Sequence, residues 1–249
     1  MKAPPIACTS LNIIMDSAPL ILGFVLAGPL SGRLSDKHGS RYLATGGMLI
    51  AAVGFLLMFT MPLNFNYAEF AIIIFIIGAG SGMFNSPNMN SIMNSVPPEN
   101  RGSVGGMMGA LFNVGFMFSL IIFFSMLIIG FSANLPHALY AGLVAQNVSS
   151  SVAMSASRLP PTAALFAAFL GYNPMKTLLP ASVLGSIPAT NADTITGNEF
   201  FPNLISGPLR TGLEIVFIAG ALMALVAAVA SFLRGKVVTY EGRAVDTGR

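Results

Sequence analysis

"DSAPLILGFVLAGPLSGRLSDKHGSRYLATGGMLIAAVGFLLMFTM", residues 16–61, is two long apolar runs hinged on a joint, residues 32–41, that gathers Arg33, Asp36, Lys37 and Arg41. Crossing roughly 30 Å of hydrocarbon takes about 20 mainly apolar residues. Lipid offers backbone groups no partner, so both runs are expected to be helices that bond internally. The alternation of an apolar span and a short charged joint then recurs along the chain. It predicts five transmembrane helices, at 16–34, 42–61, 70–96, 104–131 and 213–233, and hence an all-α polytopic membrane protein. Three joints are short, "SDKHGSR", "PLNFNYAE" and "PPENRGS". Residues 1–131 are therefore expected to hold four spans with short joints, 132–212 a long extracytoplasmic loop, and 213–249 the last span and a tail.

Composition agrees. Of 249 residues, 54% are hydrophobic and only 8% charged, against roughly 25% charged in an ordinary soluble domain. The net charge of +3 comes from scattered cations, with no basic stripe of the kind nucleic acid requires. One cysteine, Cys8, excludes a disulfide framework and a multi-cysteine metal site. The first residues do not read as a cleaved signal, because Pro4, Pro5 and Asp16 interrupt the apolar run.

Orientation follows from the cations. Placing the 32–41 joint inside also places there the joint at Pro97 and the C-terminal tail, with Arg33, Lys37, Arg41, Arg101, Arg234, Lys236, Arg243 and Arg249. Lys2, Arg158, Lys176 and Arg210 fall outside. The positive-inside rule favours this arrangement, with the N-terminus out and the C-terminus in the cytoplasm. The protein is accordingly expected in the cell membrane. Within the long loop, 137–154 and 160–172 are moderately apolar, which fits an amphipathic or re-entrant helical hairpin; two extra spans are the rival arrangement. Asn147-Val148-Ser149 fits a glycosylation sequon.

The joint itself carries Gly32, Asp36, Lys37, Gly39 and Arg41. A carboxylate at the mouth of a helix accepts from its free amides, cations answer the carbonyl end of the preceding helix, and Gly39 permits a tight reversal. In the third span Ser81, Asn85 and Asn88 share one helical face, with Asn90 and Asn94 on a neighbouring one. Polar amides in lipid are costly without partners or water, so this face is expected to point into the bundle, joined by Asn113 of the fourth span. It would line a transport path or hold helices together. Gly78, Gly80 and Gly82, and then Gly102, Gly106, Gly105 and Gly109, supply small surfaces for close helix approach. Asp16 is the best placed of the span-end acids to act as a proton or cation site, and Arg101 is the candidate for a local ion pair. The fifteen methionines and nineteen phenylalanines suit packing, lipid contact or an adaptable greasy pocket. His38 and His137 are expected on opposite sides of the membrane, so no metal site and no enzyme constellation emerges, and no cofactor is implied.

The pattern G-x-x-x-D-K-x-G-x-R, met by Gly32, Asp36, Lys37, Gly39 and Arg41, resembles the signature cytoplasmic loop of the major facilitator superfamily. Residue 42, where a further basic residue is common, is tyrosine. The stretch "SPNMNSIMNSVPPENRGSVGGMMGALFNVG" is similar to the corresponding region of fourteen-helix drug:proton antiporters of the EmrB/QacA type. The resemblance implies helices ten to fourteen of that plan, with the long outer loop before the last. It implies that Asp36, supported by Lys37 and Arg41, works as a conformational latch whose partner lies in a complementary portion of the transporter, absent from this chain. It also implies small amphipathic or drug-like substrates, proton-coupled efflux and drug resistance. A truncated or split-gene product that only assembles is the alternative.

Overall fold

The computed structural model describes residues 10–62 and 65–234; the side chains of residues 10–15 and 36–38 lie outside that description. Cys8, Lys2 and the tail cations Lys236, Arg243 and Arg249 fall beyond the described residues, as do the side chains of Asp36, Lys37 and His38. Every regular element is helical: α1 Ser10–His38, α2 Ser40–Phe59, α3 Tyr67–Asn94, α4 Arg101–Ala145, α5 Ser150–Ala156, α6 Pro161–Phe169, α7 Met175–Leu178, α8 Ala181–Leu184, α9 Ala189–Thr196 and α10 Phe200–Leu233, with a 3-10 turn at Pro98–Asn100 before α4. Five of these helices are long and apolar enough to cross a membrane, and each coincides with one of the five expected spans, α2 and α3 ending two residues before the expected bounds, at Phe59 and Asn94. This is a multi-pass membrane protein.

Two compact units divide the described chain, one of residues 10–120 and 217–234, the other of residues 121–216. In the first, α3 lies between α1 and α2, held by backbone-close crossings. A Cβ added at Gly80 would sit 2.5 Å from the Gly47 carbonyl oxygen, and one at Gly47 2.6 Å from that of Gly80. Two residues along, on the other face, a Cβ at Gly82 would meet the Phe24 carbonyl at 2.5 Å, and Gly78 abuts Leu20 at least as closely. Small residues let membrane helices approach to this range, where dispersion and weak backbone contacts replace the hydrophobic effect that lipid removes. Near the far ends, Met58, Ile74 and Ile77 are buried with Phe55, Phe70 and Phe217 around them.

The second unit has its own core. Phe131, Leu135, Leu139 and Leu143, at four-residue spacing along α4, are fully buried with Ala153, Ala164, Met175, Ile195, Phe201 and Ile205. α4 and α10 cross at Gly130 and Gly212, where an added Cβ would lie 2.8 Å from the opposing Gly212 Cα. α4 has 45 residues and α10 has 34, well beyond the roughly 20 a span needs. So the segment expected as a loop at 132–212 is largely helix. Its apolar stripe at every fourth residue keeps α4 helical past Ser132 and Asn134, because burial outweighs the local polarity. Asn173 ties the short helices together: its side-chain amide donates to the Ile195 and Gly197 carbonyls, each at 2.7 Å, and its oxygen accepts from the Met175 amide. Residues 137–154 and 160–172 supply the end of α4, α5 and α6, packed by small residues.

Candidate functional site

The α1–α2 joint is built by local bonds. Ser31 and Ser35, both buried, return their hydroxyls to the Gly28 and Gly32 carbonyls at 2.8 and 2.7 Å, and the Gly39 amide donates to the Ser35 carbonyl at 2.8 Å. Gly39 itself stands at φ 86°, ψ 143°, a backbone region that essentially only glycine occupies. Its lack of a side chain is what lets α1 stop and α2 begin within one residue. Gly32 serves packing: a Cβ there would lie 2.8 Å from Ser86 Oγ on α3. Asp36 and Lys37 occupy the last turn of α1.

Arg41, in the first turn of α2, stacks its guanidinium over the Phe232 ring of α10, 4.3 Å from the centroid. Arg234, just past α10, reaches the other way. Its Nη1 donates to Asn88 Oδ1 at 2.6 Å and its Nη2 to Ser40 Oγ at 3.5 Å. This end of the first unit therefore brings α2, α3 and α10 onto two guanidinium groups. Arg234, Phe232 and Ser40 were not singled out by the sequence, which showed only a cation ending an apolar run. Their contacts join positions up to 194 apart, and no local pattern encodes such a pairing.

The expected polar face of α3 is only partly assembled. Ser81, Asn85 and Asn88 are half-buried. Ser81 spends its hydroxyl on the Ile77 carbonyl at 2.8 Å within its own helix, and Asn88 is engaged by Arg234. Asn90 and Asn94 are exposed, and Asn113 stands exposed on α4, apart from the α3 group. Asp16 is exposed at the other end of α1 from the joint. The exposed side chain of Arg101 donates from Nε to the Val96 carbonyl at 3.4 Å, while the side chain of Asp36, the carboxylate of the 32–41 joint, lies outside the described residues. The ion pair recorded among the described residues is Arg210–Glu214 at 2.8 Å, one turn apart on α10. The glycines of α4 differ from those of α3: an added Cβ at Gly102, Gly106 or Gly109 meets nothing within 4 Å, and at Gly105 only the tip of Met93. No group of three or more His, Cys, Asp or Glu side chains that could hold a metal occurs among the described residues.

Residues 10–123 match the sequence model of the Major Facilitator Superfamily. That segment comprises α1 to α3 and the first half of α4, and it is what this chain has in common with the family. The riboflavin transporter RibZ of Clostridioides difficile is 31% identical over 112 residues, which are 45% of this chain and 24% of that protein. The uncharacterized transporter YebQ of Escherichia coli is 33% identical over 93 residues, 36% of this chain and 20% of the other. The methyl viologen resistance protein SmvA of Salmonella typhimurium is 27% identical over 150 residues, 58% of this chain and 30% of the other. The chain thus spans between 20% and 30% of the length of these relatives. No solved structure matches it.

Proposed function

We propose that this chain is the C-terminal part of a major facilitator exporter of the EmrB/QacA type, moving small amphipathic or drug-like compounds outward against proton entry. The observation that carries this reading is the α1–α3 unit itself. Its glycine-mediated crossings and its 32–41 joint occupy the segment that matches the transporter family. Two relatives named for riboflavin and for methyl viologen resistance favour flat, heteroaromatic compounds as substrates. In facilitators the substrate lies between two halves that rock about it. One unit of three packed helices provides one wall.

The complementary portion belongs to the proposal because α4 is unfinished. From residue 105 to 120 almost every side chain is exposed, including Phe116, Met117 and Phe118 at 61 to 65%, and a Cβ added at Gly106, Gly109 or Gly115 meets no neighbour. Further transmembrane helices packed on this face would complete the transport path, with Asn85, Asn88 and Asn113 facing it. Asp36, with Lys37 and Arg41, would latch the joint to those helices from the cytoplasmic side.

The test is ethidium or methyl viologen efflux in everted vesicles, with the chain expressed alone and together with helices one to nine of a relative. Proton-gradient-dependent efflux only from the pair is the expected result. Efflux by the chain alone would overturn the need for a complement. No efflux from a pair shown to co-purify would leave the second reading, an assembly partner without transport.

A further inference from the structure

Four buried side-chain polar atoms among the described residues have no hydrogen-bond partner: Arg41 Nε, Thr45 Oγ1, Ser231 Oγ and Arg234 Nε. They are not scattered. Arg41 and Thr45 are one turn apart at the start of α2, and Ser231 and Arg234 are one turn apart at the end of α10. These two ends meet through Arg41 on Phe232 and Arg234 on Ser40. Ser231 is only 7% exposed, and neither guanidinium is paired with a carboxylate among the described residues.

A buried donor left without an acceptor bears the full cost of its desolvation, and native structures hold few of them. A fold that collects all four of its recorded cases at one place, and sets two cations among them, lacks an acceptor there. The acceptor must carry negative charge to answer two guanidinium groups, and several lone pairs in different directions to reach two nitrogens and two hydroxyls. A tetrahedral phosphate meets both needs, and arginine binds it through short charge-assisted bonds. Asn88 and Ser40 hold Arg234 by its terminal nitrogens, which fixes the guanidinium while its Nε stays available.

We infer that Arg41, Thr45, Ser231 and Arg234 form a binding site for a phosphate-bearing anion. Its source is either a phospholipid headgroup or free phosphate. Large apolar side chains exposed on either side of the site, Tyr42, Phe232 and Leu233 at 67, 48 and 74%, provide a surface along which acyl chains would lie. The site does not depend on the transport reading, and its test contains no transport step.

The chain, purified free of lipid in detergent, is titrated with dioleoylphosphatidylglycerol, with inorganic phosphate, and with dioleoylglycerol, which lacks the phosphate. The readouts are native mass spectrometry and the thermal unfolding midpoint. Saturable binding of the phospholipid, or of phosphate, is expected, without binding of dioleoylglycerol. Arg41→Gln should weaken it by about tenfold or more, the factor that corresponds to one lost charge-assisted bond. Ser231→Ala should weaken it several-fold and leave the unliganded midpoint unchanged, since its hydroxyl bonds nothing in the fold. Arg234→Gln also removes the Asn88 contact, so a folding failure there leaves the first two variants to decide. Phospholipid bound while millimolar phosphate is ignored assigns a lipid headgroup; phosphate bound alone and competing with the lipid assigns a soluble anion. Absence of binding by both, equal binding of dioleoylglycerol, or binding that neither Arg41→Gln nor Ser231→Ala alters, each overturns the site.

Discussion

At the scale of single residues, Asn88 and Gly39 make opposite use of their positions. Asn88 lies on a face that suits a transport path, yet its Oδ1 accepts from Arg234 at 2.6 Å, so removing it leaves a half-buried guanidinium short of an acceptor. Asn88→Ala is expected to lower stability by about 1–3 kcal/mol. In a double-mutant cycle with Arg234→Ala, measured by unfolding in detergent, the pair should show coupling of about 1 kcal/mol or more. Additive losses, together with altered substrate preference in the assembled transporter, would assign Asn88 to the path and not to the clamp. Gly39 contributes only its amide bond to the Ser35 carbonyl, and an added Cβ there meets open space. Its value is conformational, and Gly39→Ala should cost about 1–3 kcal/mol through strain alone. Gly46→Ala, also in open space but at ordinary helical geometry, is the control expected to be neutral or stabilising. Equal effects of the two would remove the conformational account. For Asp36, Asp36→Asn in the assembled transporter should abolish most efflux at normal membrane abundance, and unimpaired efflux would end the latch assignment.

At the scale of elements, α3 and the start of α4 both carry glycines four apart, Gly78 with Gly82 and Gly102 with Gly106, which meet different surroundings. Gly80→Val forces a branched side chain into the Gly47 and Ala51 backbone and should destabilise the α1–α3 unit by at least about 1–3 kcal/mol, the usual cost of overpacking. Gly106→Ala meets nothing, and removing a flexible residue from a helix should stabilise the isolated chain by up to about 1 kcal/mol. In a chain assembled with its complement, a bulkier Gly106→Leu should instead weaken association, read by co-purification; unaffected association would show that α4 faces only lipid. The same contrast explains what the sequence could disclose. Long apolar runs announce α1 to α4 and α10, because hydrophobic length is a local property and lipid demands helix. Gly39 is visible in the joint for the reversal it permits, whereas the packing of Gly32 against Ser86 of α3 is not. The extension of α4 to Ala145 is hidden, although Leu135, Leu139 and Leu143 hold helical spacing, because Ser132, Asn134 and Pro136 interrupt the apolar signal. Asn173, Arg234 and Ser40 are illegible for another reason: their partners lie 22 to 194 positions away, and a single sequence carries no record of such pairings.

At the scale of the whole molecule, the distribution of charge predicts a direction across the membrane that can be measured without any transport assay. In the topology expected from the sequence, eight of the twelve basic residues would be cytoplasmic and four outside, since cytoplasmic loops carry the excess. Short joints weigh most in this rule, and Arg33, Lys37, Arg41 and Arg101 all sit in or beside short joints. The expected arrangement therefore has the α3–α4 joint inside and the short helices α5 to α9 outside. Cysteine placed at Ser103 or at Ser186 in a Cys8→Ala background reports it. Both serines are exposed, and Ser186 makes only a local bond to the Val183 carbonyl, so neither substitution disturbs a core. A membrane-impermeant maleimide applied to intact cells should label Ser186→Cys readily and Ser103→Cys only after permeabilisation. The reverse pattern would invert the topology, placing the Asp36 joint and the Arg41–Arg234 pair on the outer face. Labelling of both in intact cells would mean mixed insertion, the outcome expected if four outer cations, Arg210 among them, offset the inner ones. Arg210→Gln would then sharpen the bias, since it removes an outer charge closest to a span, and its loss should shift a mixed population toward one orientation.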